Sequence, residues 1–142
     1  MRSRLGWKFG AREFGLVVAW SALALGGCAS ELGCDLNDST RDLGGAGLMD
    51  CGLAEYGDTD TVDTCAVREH GARGTFRAIY ERKDGSLEAV VHAAGDRYYL
   101  FRADADGDHV KRAECESASV VTDGDREFVE CDSHGEFRAV CD

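Results

Sequence analysis

Proline is absent from all 142 residues, and lysine occurs three times against thirteen arginines. Without proline there is no stiff extended stalk, and every turn has to be built from Gly, Asp, Asn and Ser. Both tryptophans, Trp7 and Trp20, fall in the first twenty residues. The chain beyond them must therefore make its core from smaller residues. Basic charge is short: 16 Lys and Arg face 27 Asp and Glu, a net charge of −11. Such a surface repels nucleic acid and anionic headgroups. There is no G-x-S-x-G elbow, no H-E-x-x-H and no C-x-x-C, so the common hydrolase, zincin and redox patterns are missing. No motif calls for a cofactor. No apolar run is long enough to span a bilayer. The longest, Phe14–Leu25, covers about 18 Å as a helix against about 30 Å of hydrocarbon.

That run follows a basic start, with Arg2, Arg4, Lys8 and Arg12 ahead of Glu13. A charged segment before a short apolar one is the pattern of a secretory leader. It ends in Leu25-Gly26-Gly27-Cys28. This string resembles the lipobox of bacterial lipoproteins, which implies cleavage before Cys28 and a diacylglyceryl group on its sulfur. The partner implied is then a membrane, reached through the lipid at Cys28. Ala29 in the following position, by the same resemblance, implies an outer-membrane or cell-surface address rather than retention at the inner membrane. Ordinary signal cleavage near Ala24 or Gly27 is the alternative, and it leaves Cys28 as a free thiol.

Removing residues 1–27 takes away four basic residues and one acid, so the net charge of residues 28–142 becomes about −14. Attractive partners would be basic proteins, cations or neutral glycans. The seven cysteines also resolve. With Cys28 given to lipid, Cys34, Cys51, Cys65, Cys115, Cys131 and Cys141 remain, enough for three disulfides in an exported chain. Zinc is a poor alternative, because Cys131-x-x-His134 with Cys141 lacks a fourth ligand.

Three segments follow: a signal peptide over 1–27, a lipidated acidic Gly-rich tether over 28–50, and one Cys-rich α+β domain over 51–142. If Cys34 is bridged to the domain, the free tether shrinks to 29–33. Thr61–His70 carries Val62, Cys65 and Ala66 at helical spacing, with Asp58, Thr59 or Asp60 as N-cap and Gly71 as terminator. From Thr75 the period becomes two. Strands are expected over 75–81, 87–93, 97–103, 109–115, 118–122, 127–131 and 137–141, with turns at Asp84-Gly85, Gly95-Asp96 and Asp123-Gly124. A hairpin at Asp123-Gly124 would set Cys115 opposite Cys131. The expected fold is α+β: a short N-terminal helix on an antiparallel meander of six to seven strands, disulfide-stabilised. In outline it is similar to cystatin-like α+β rolls, a likeness that carries no function.

Few groups suggest chemistry. Asp104, Asp106 and Asp108 form D-x-D-x-D, the opening of a calcium loop, but His109 and Cys115 stand where an EF-hand needs Gly and Glu. A solvated hairpin loop is the simpler expectation. Asp58, Asp60 and Asp63 suit a helix N-terminus without any metal. His70, His92, His109 and His134 are scattered singly, and Phe76, Tyr80, Tyr98, Tyr99 and Phe101 suit a core or a ligand-binding face. No catalytic residues are assigned. The expected function is a surface- or periplasm-anchored, non-enzymatic binding or structural module, in one form an inhibitor of a basic hydrolase docking through 104–108. The alternative is a small secreted hydrolase using carboxylates or His92 and His109.

Overall fold

A computed structural model of the chain describes residues 34–140. The leader, Cys28 and Cys141 lie outside the described residues. The elements run α1 (Leu36–Gly44), β1 (Met49–Ala54), α2 (Asp60–Ala72), β2 (Phe76–Glu81), β3 (Leu87–Ala93), β4 (Arg97–Ala103), β5 (Lys111–Asp123), β6 (Arg126–His134) and β7 (Arg138–Ala139). Two helices thus accompany a curled, mixed sheet in the order β1-β2-β3-β4-β5-β6, with β7 alongside β5.

The stretch expected to be a tether folds from Leu36 onward. Asp35 caps α1 by accepting the Asp38 N–H at 2.8 Å. Gly45 ends it at φ 70°, a conformation natural to glycine, with its N–H on the Arg41 carbonyl. Leu36 and Thr40 are buried, and the Leu36 N–H is held by the Gly107 carbonyl at 2.9 Å. A helix with so few apolar residues is fixed by its tertiary contacts, not by its periodicity. The anticipated N-terminal helix is therefore the second of two among the described residues. It runs over Asp60–Ala72, past Gly71, and stops at Arg73 in the left-handed region, φ 55°. The meander is also not wholly antiparallel, since β1 joins the sheet parallel to β2.

Both faces of the sheet are covered. Facing α2 and β6 are Phe76, Ala78, Val90 and Leu100, packed with Val62, Ala66 and Val129. Facing α1 are Ile79, Ala89, Val91 and Phe101, packed with Leu36 and Val110. Tyr98 and Tyr99 accordingly go to opposite clusters, and neither forms an exposed patch. Phe76 and Phe101 are fully enclosed, one per face. Burial of a side chain of that size stabilises by about 1.5–3 kcal/mol.

The two strands expected over 109–115 and 118–122 are one. β5 is continuous across thirteen residues, with register shifts between Cys115 and Ala118. Its first half pairs with β4 and β7, its second with β6. The bulge bends the strand there, and β6 swings onto the α2 side of the sheet. Cys115 and Cys131 are joined across this hairpin, with Cα atoms 5.6 Å apart. Cys51 and Cys65 join β1 to α2. Cys34 is also disulfide-bonded.

Arg77 on β2 ties α1 and β1 to the sheet. Its guanidinium donates to the Asn37 carbonyl at 2.8 Å, the Thr40 hydroxyl at 3.0 Å and the Asp50 carboxylate at 2.5 Å. Hydrogen bonding to Arg77 is the chief reason the Asp50 pKa falls below its ordinary value of 3.8. Asp50 thus adds stability above the usual carboxylate range, and this is lost as pH falls through the depressed value. Because Asp50 can rehydrate, Arg77→Met is expected to cost about 2 kcal/mol rather than the full penalty of a stranded ion. A lowered urea midpoint at unchanged m-value would measure it.

Candidate functional site

Antiparallel register builds the floor of the main groove. The pairings Tyr80↔Glu88 and Glu88↔Arg102 set these three side chains in one row across β2, β3 and β4. One step along lie Ala78, Val90 and Leu100. The β6 residues Phe128–Cys131, with His134, form the facing wall, and Tyr56, Gly57 and Thr59 form the mouth. The enclosed space is about 1290 Å³. A smaller hollow, about 710 Å³, lies between α2 and the β5–β6 turn.

The cations of this groove are largely satisfied from within. One oxygen of Glu88 accepts from Arg82 at 2.9 Å and from Arg102 at 3.0 Å. Arg102 also lies over the Phe137 ring, 4.5 Å from its centroid. Arg126 closes one end. It forks onto Asp63 at 2.6 and 3.0 Å and covers the Phe128 ring at 4.3 Å. Among the described residues Lys83, Asp60 and Glu130 form no ion pair. Part of the lining is thus free to meet a charged ligand.

Neither buried acid at that end is set up for proton transfer near neutrality. Burial pushes the Asp63 pKa up, but the hydrogen bonds and charge of Arg126, with the Thr59 and Tyr80 hydroxyls close by, outweigh it and hold the carboxyl below its ordinary 3.8. Burial, then the neighbouring Asp63 charge, drives the Tyr80 hydroxyl well above the usual phenol range. That hydroxyl faces Asp63 without completing a hydrogen bond of good geometry.

The histidines do not converge. His92 is buried, stacked on Tyr98 at 4.2 Å, with Nδ1 at the Gly74 carbonyl and Nε2 3.1 Å from Asp96. Tyr98 in turn meets Nδ1 of His70 at 2.7 Å. This cluster fastens the end of α2 to the β3–β4 turn. His109 stands beyond the opposite end of β4, roughly 20 Å away along a seven-residue strand. His134 packs at an exposed position against Phe137. The pair of histidines in the hydrolase alternative is therefore not assembled.

In the 104–108 loop, Asp104 accepts the N–H groups of Asp106 and Asp108 at 3.2 and 2.8 Å, and His109 Nδ1 lies 2.7 Å away. Among the described residues no three His, Cys, Asp or Glu side chains are grouped to hold a metal ion. The Asp104–His109 contact holds Asp104 low and raises His109 above its ordinary 6.5. It is therefore complete between the two values. It weakens as pH rises through that of His109, and again as pH falls through that of Asp104. An NMR titration is expected to place the His109 midpoint above 6.5, and Asp104→Asn to return it toward 6.5.

Alternation over 75–81 groups Tyr80 with Phe76 and Ala78 on one face, but shows neither the Glu88–Arg102 row nor the Arg126–Asp63 fork. The row was recoverable by extending register across the turns at Gly85 and Gly95; the fork joins residues 63 apart and left no local signal. No helix among the described residues is long and apolar enough to cross a membrane. Compared with known proteins, the chain matches no family model, no curated protein and no solved structure.

Proposed function

We propose that the chain is an exported lipoprotein, anchored through Cys28, whose folded body is a non-enzymatic binding module. The groove between β2–β4 and β6 carries this reading. Its floor sets an apolar row beside the Glu88–Arg102 pair, its arginines are paired within the chain, and Asp60, Lys83 and Glu130 stay unpaired in its lining. The acidic surface favours a basic partner, and an inhibitor of a basic hydrolase is one form such a module takes. The disulfides support an oxidising, extracytoplasmic setting.

Cysteine pairing bears on the anchor as well. Cys34 is disulfide-bonded, and four other described cysteines are bonded to one another. That leaves Cys28 or Cys141 for Cys34. With Cys28 acylated, Cys34–Cys141 follows.

The groove is tested with the full chain, expressed with its leader and purified in detergent. Chemical cross-linking to envelope proteins from the same cells is expected to give a discrete adduct that Glu130→Lys in the groove wall diminishes, at unchanged melting temperature. An adduct indifferent to Glu130→Lys would remove the groove from the proposal. Turnover of a substrate by the purified chain would replace the binding reading with the enzymatic one.

A further inference from the structure

We infer that the outer edge of β1 takes up an extended basic segment of a partner protein as an added strand. β1 is the terminal strand of the sheet, and no strand lies beyond it among the described residues. Among the described residues, three of the four exposed large hydrophobics gather on β1 and the turn after it: Met49, Leu53 and Tyr56, at 42%, 56% and 63% exposure. Met49 stands opposite Phe76, on the α2 side of the sheet, and Leu53 opposite Ile79, on the α1 side. An incoming strand would find an apolar neighbour on each face. Gly52, φ 92°, marks a bulge in β1, and its N–H is held by the Asp50 carboxylate at 3.0 Å, so a partner strand would pair to either side of this residue. An exposed, apolar edge of this kind is a template for strand addition, with main-chain bonds giving affinity and alternate side chains giving selectivity. Six residues present about 20 Å of edge.

Charge selects the occupant. Residues 49–60 contain Asp50, Glu55, Asp58 and Asp60 and no base. Asp50 is matched by Arg77 and Arg41, which leaves three uncompensated acids, Glu55, Asp58 and Asp60, just past the C-terminal end of the edge. A second copy would bring the same acids together within a chain of net charge −11. A segment alternating basic and apolar residues meets both features at once. Tyr56, in the turn after β1, also lines the groove mouth, so a chain leaving β1 would continue toward Asp60 and Glu130. The inference rests on the binding-module reading and names the partner's chemistry.

The probe is a fluorescent peptide of four Lys-Val repeats, titrated by anisotropy into the full chain purified in detergent. Binding is expected at low salt. N-methylation of alternate residues, which removes one row of donors, should weaken it about tenfold, and so should Leu53→Ser combined with Tyr56→Ser. A Glu-Val peptide should not bind. Absence of Lys-Val binding, equal binding of the methylated peptide, or undiminished binding by the double variant would each overturn the inference. So would a dimer that the double variant dissociates, because the occupant would then be a second copy. If Glu130→Lys abolishes peptide binding and the double variant does not, the edge is refuted while the binding module stands.

Discussion

Reduction of the native protein is expected to lower its melting temperature by more than about 20 °C, or to abolish the folded state near physiological temperature. Cys51–Cys65 and Cys115–Cys131 close loops of 14 and 16 residues. Each is worth about 3 kcal/mol on a chain-entropy basis, against a total of about 5–15 for an ordinary domain. The core has little reserve: its buried apolar residues are mostly Ala and Val, with Phe76 and Phe101 the largest fully enclosed side chains. Excess negative charge opposes compaction further. The two bridges act on different parts. Removing Cys115–Cys131 should loosen the β5–β6 hairpin and its groove wall, whereas removing Cys51–Cys65 should release β1 from α2. Differential scanning fluorimetry with and without reductant measures the total, and EDTA is expected to leave the transition in place. A reduced protein melting within a few degrees of the oxidised one would show that packing alone suffices. A large EDTA effect reversed by calcium would instead make Asp104, Asp106 and Asp108 ligands.

Arg126→Leu is expected to cost more than Arg77→Met. It strands the Asp63 carboxylate, whose side chain is only 5% exposed, in the contact between α2 and the hairpin. Removing one partner of a buried pair costs about 3–5 kcal/mol; the low end applies because Arg126 itself is partly hydrated. The loss should depend on pH in a defined direction. In the native protein Asp63 is held below its ordinary pKa, so it stabilises above the carboxylate range and loses this as pH falls. In the variant, burial acts unopposed and favours the protonated acid. The gap in stability should therefore narrow toward about pH 4. Asp63→Leu combined with Arg126→Leu should recover most of the loss, since apolar replacement of both partners leaves no unpaired charge. Chemical denaturation across pH follows all three proteins. A gap constant with pH would mean that the fork contributes packing and little electrostatics.

The parts of the fold legible in the sequence were those written locally. The period of two predicted the strand over 87–93, observed as Leu87–Ala93, but not the helix α1 that covers its Ala89 and Val91 face. Asp84-Gly85 predicted the β2–β3 turn, where Gly85 stands at φ 81° and Asp84 accepts from Ser86. The hairpin at Asp123-Gly124 brought Cys115 to Cys131. Illegible elements rely on distant partners. α1 buries Ser39 and Thr40, and Thr40 is satisfied by Leu36 within the helix and by Arg77 across 37 residues. Its caps, Asp35 and Gly45, were the available signal. β1 escaped because Gly52 bulges the strand and breaks the period of two. The groove shared that difficulty, since its walls come from segments brought together only by the bend in β5.

Anchor and cross-links meet in one mass spectrum, that of the unreduced protein extracted from membranes and digested for disulfide mapping. The expected N-terminal peptide begins at Cys28 with diacylglyceryl on its sulfur. The mature mass should be lower than that of the reduced form by the hydrogens of three disulfides, with Cys34 linked to Cys141. A peptide joining Cys34 to Cys28, a free thiol among the other six cysteines, or an unmodified Cys28 would contradict the anchored, fully cross-linked body proposed for this chain.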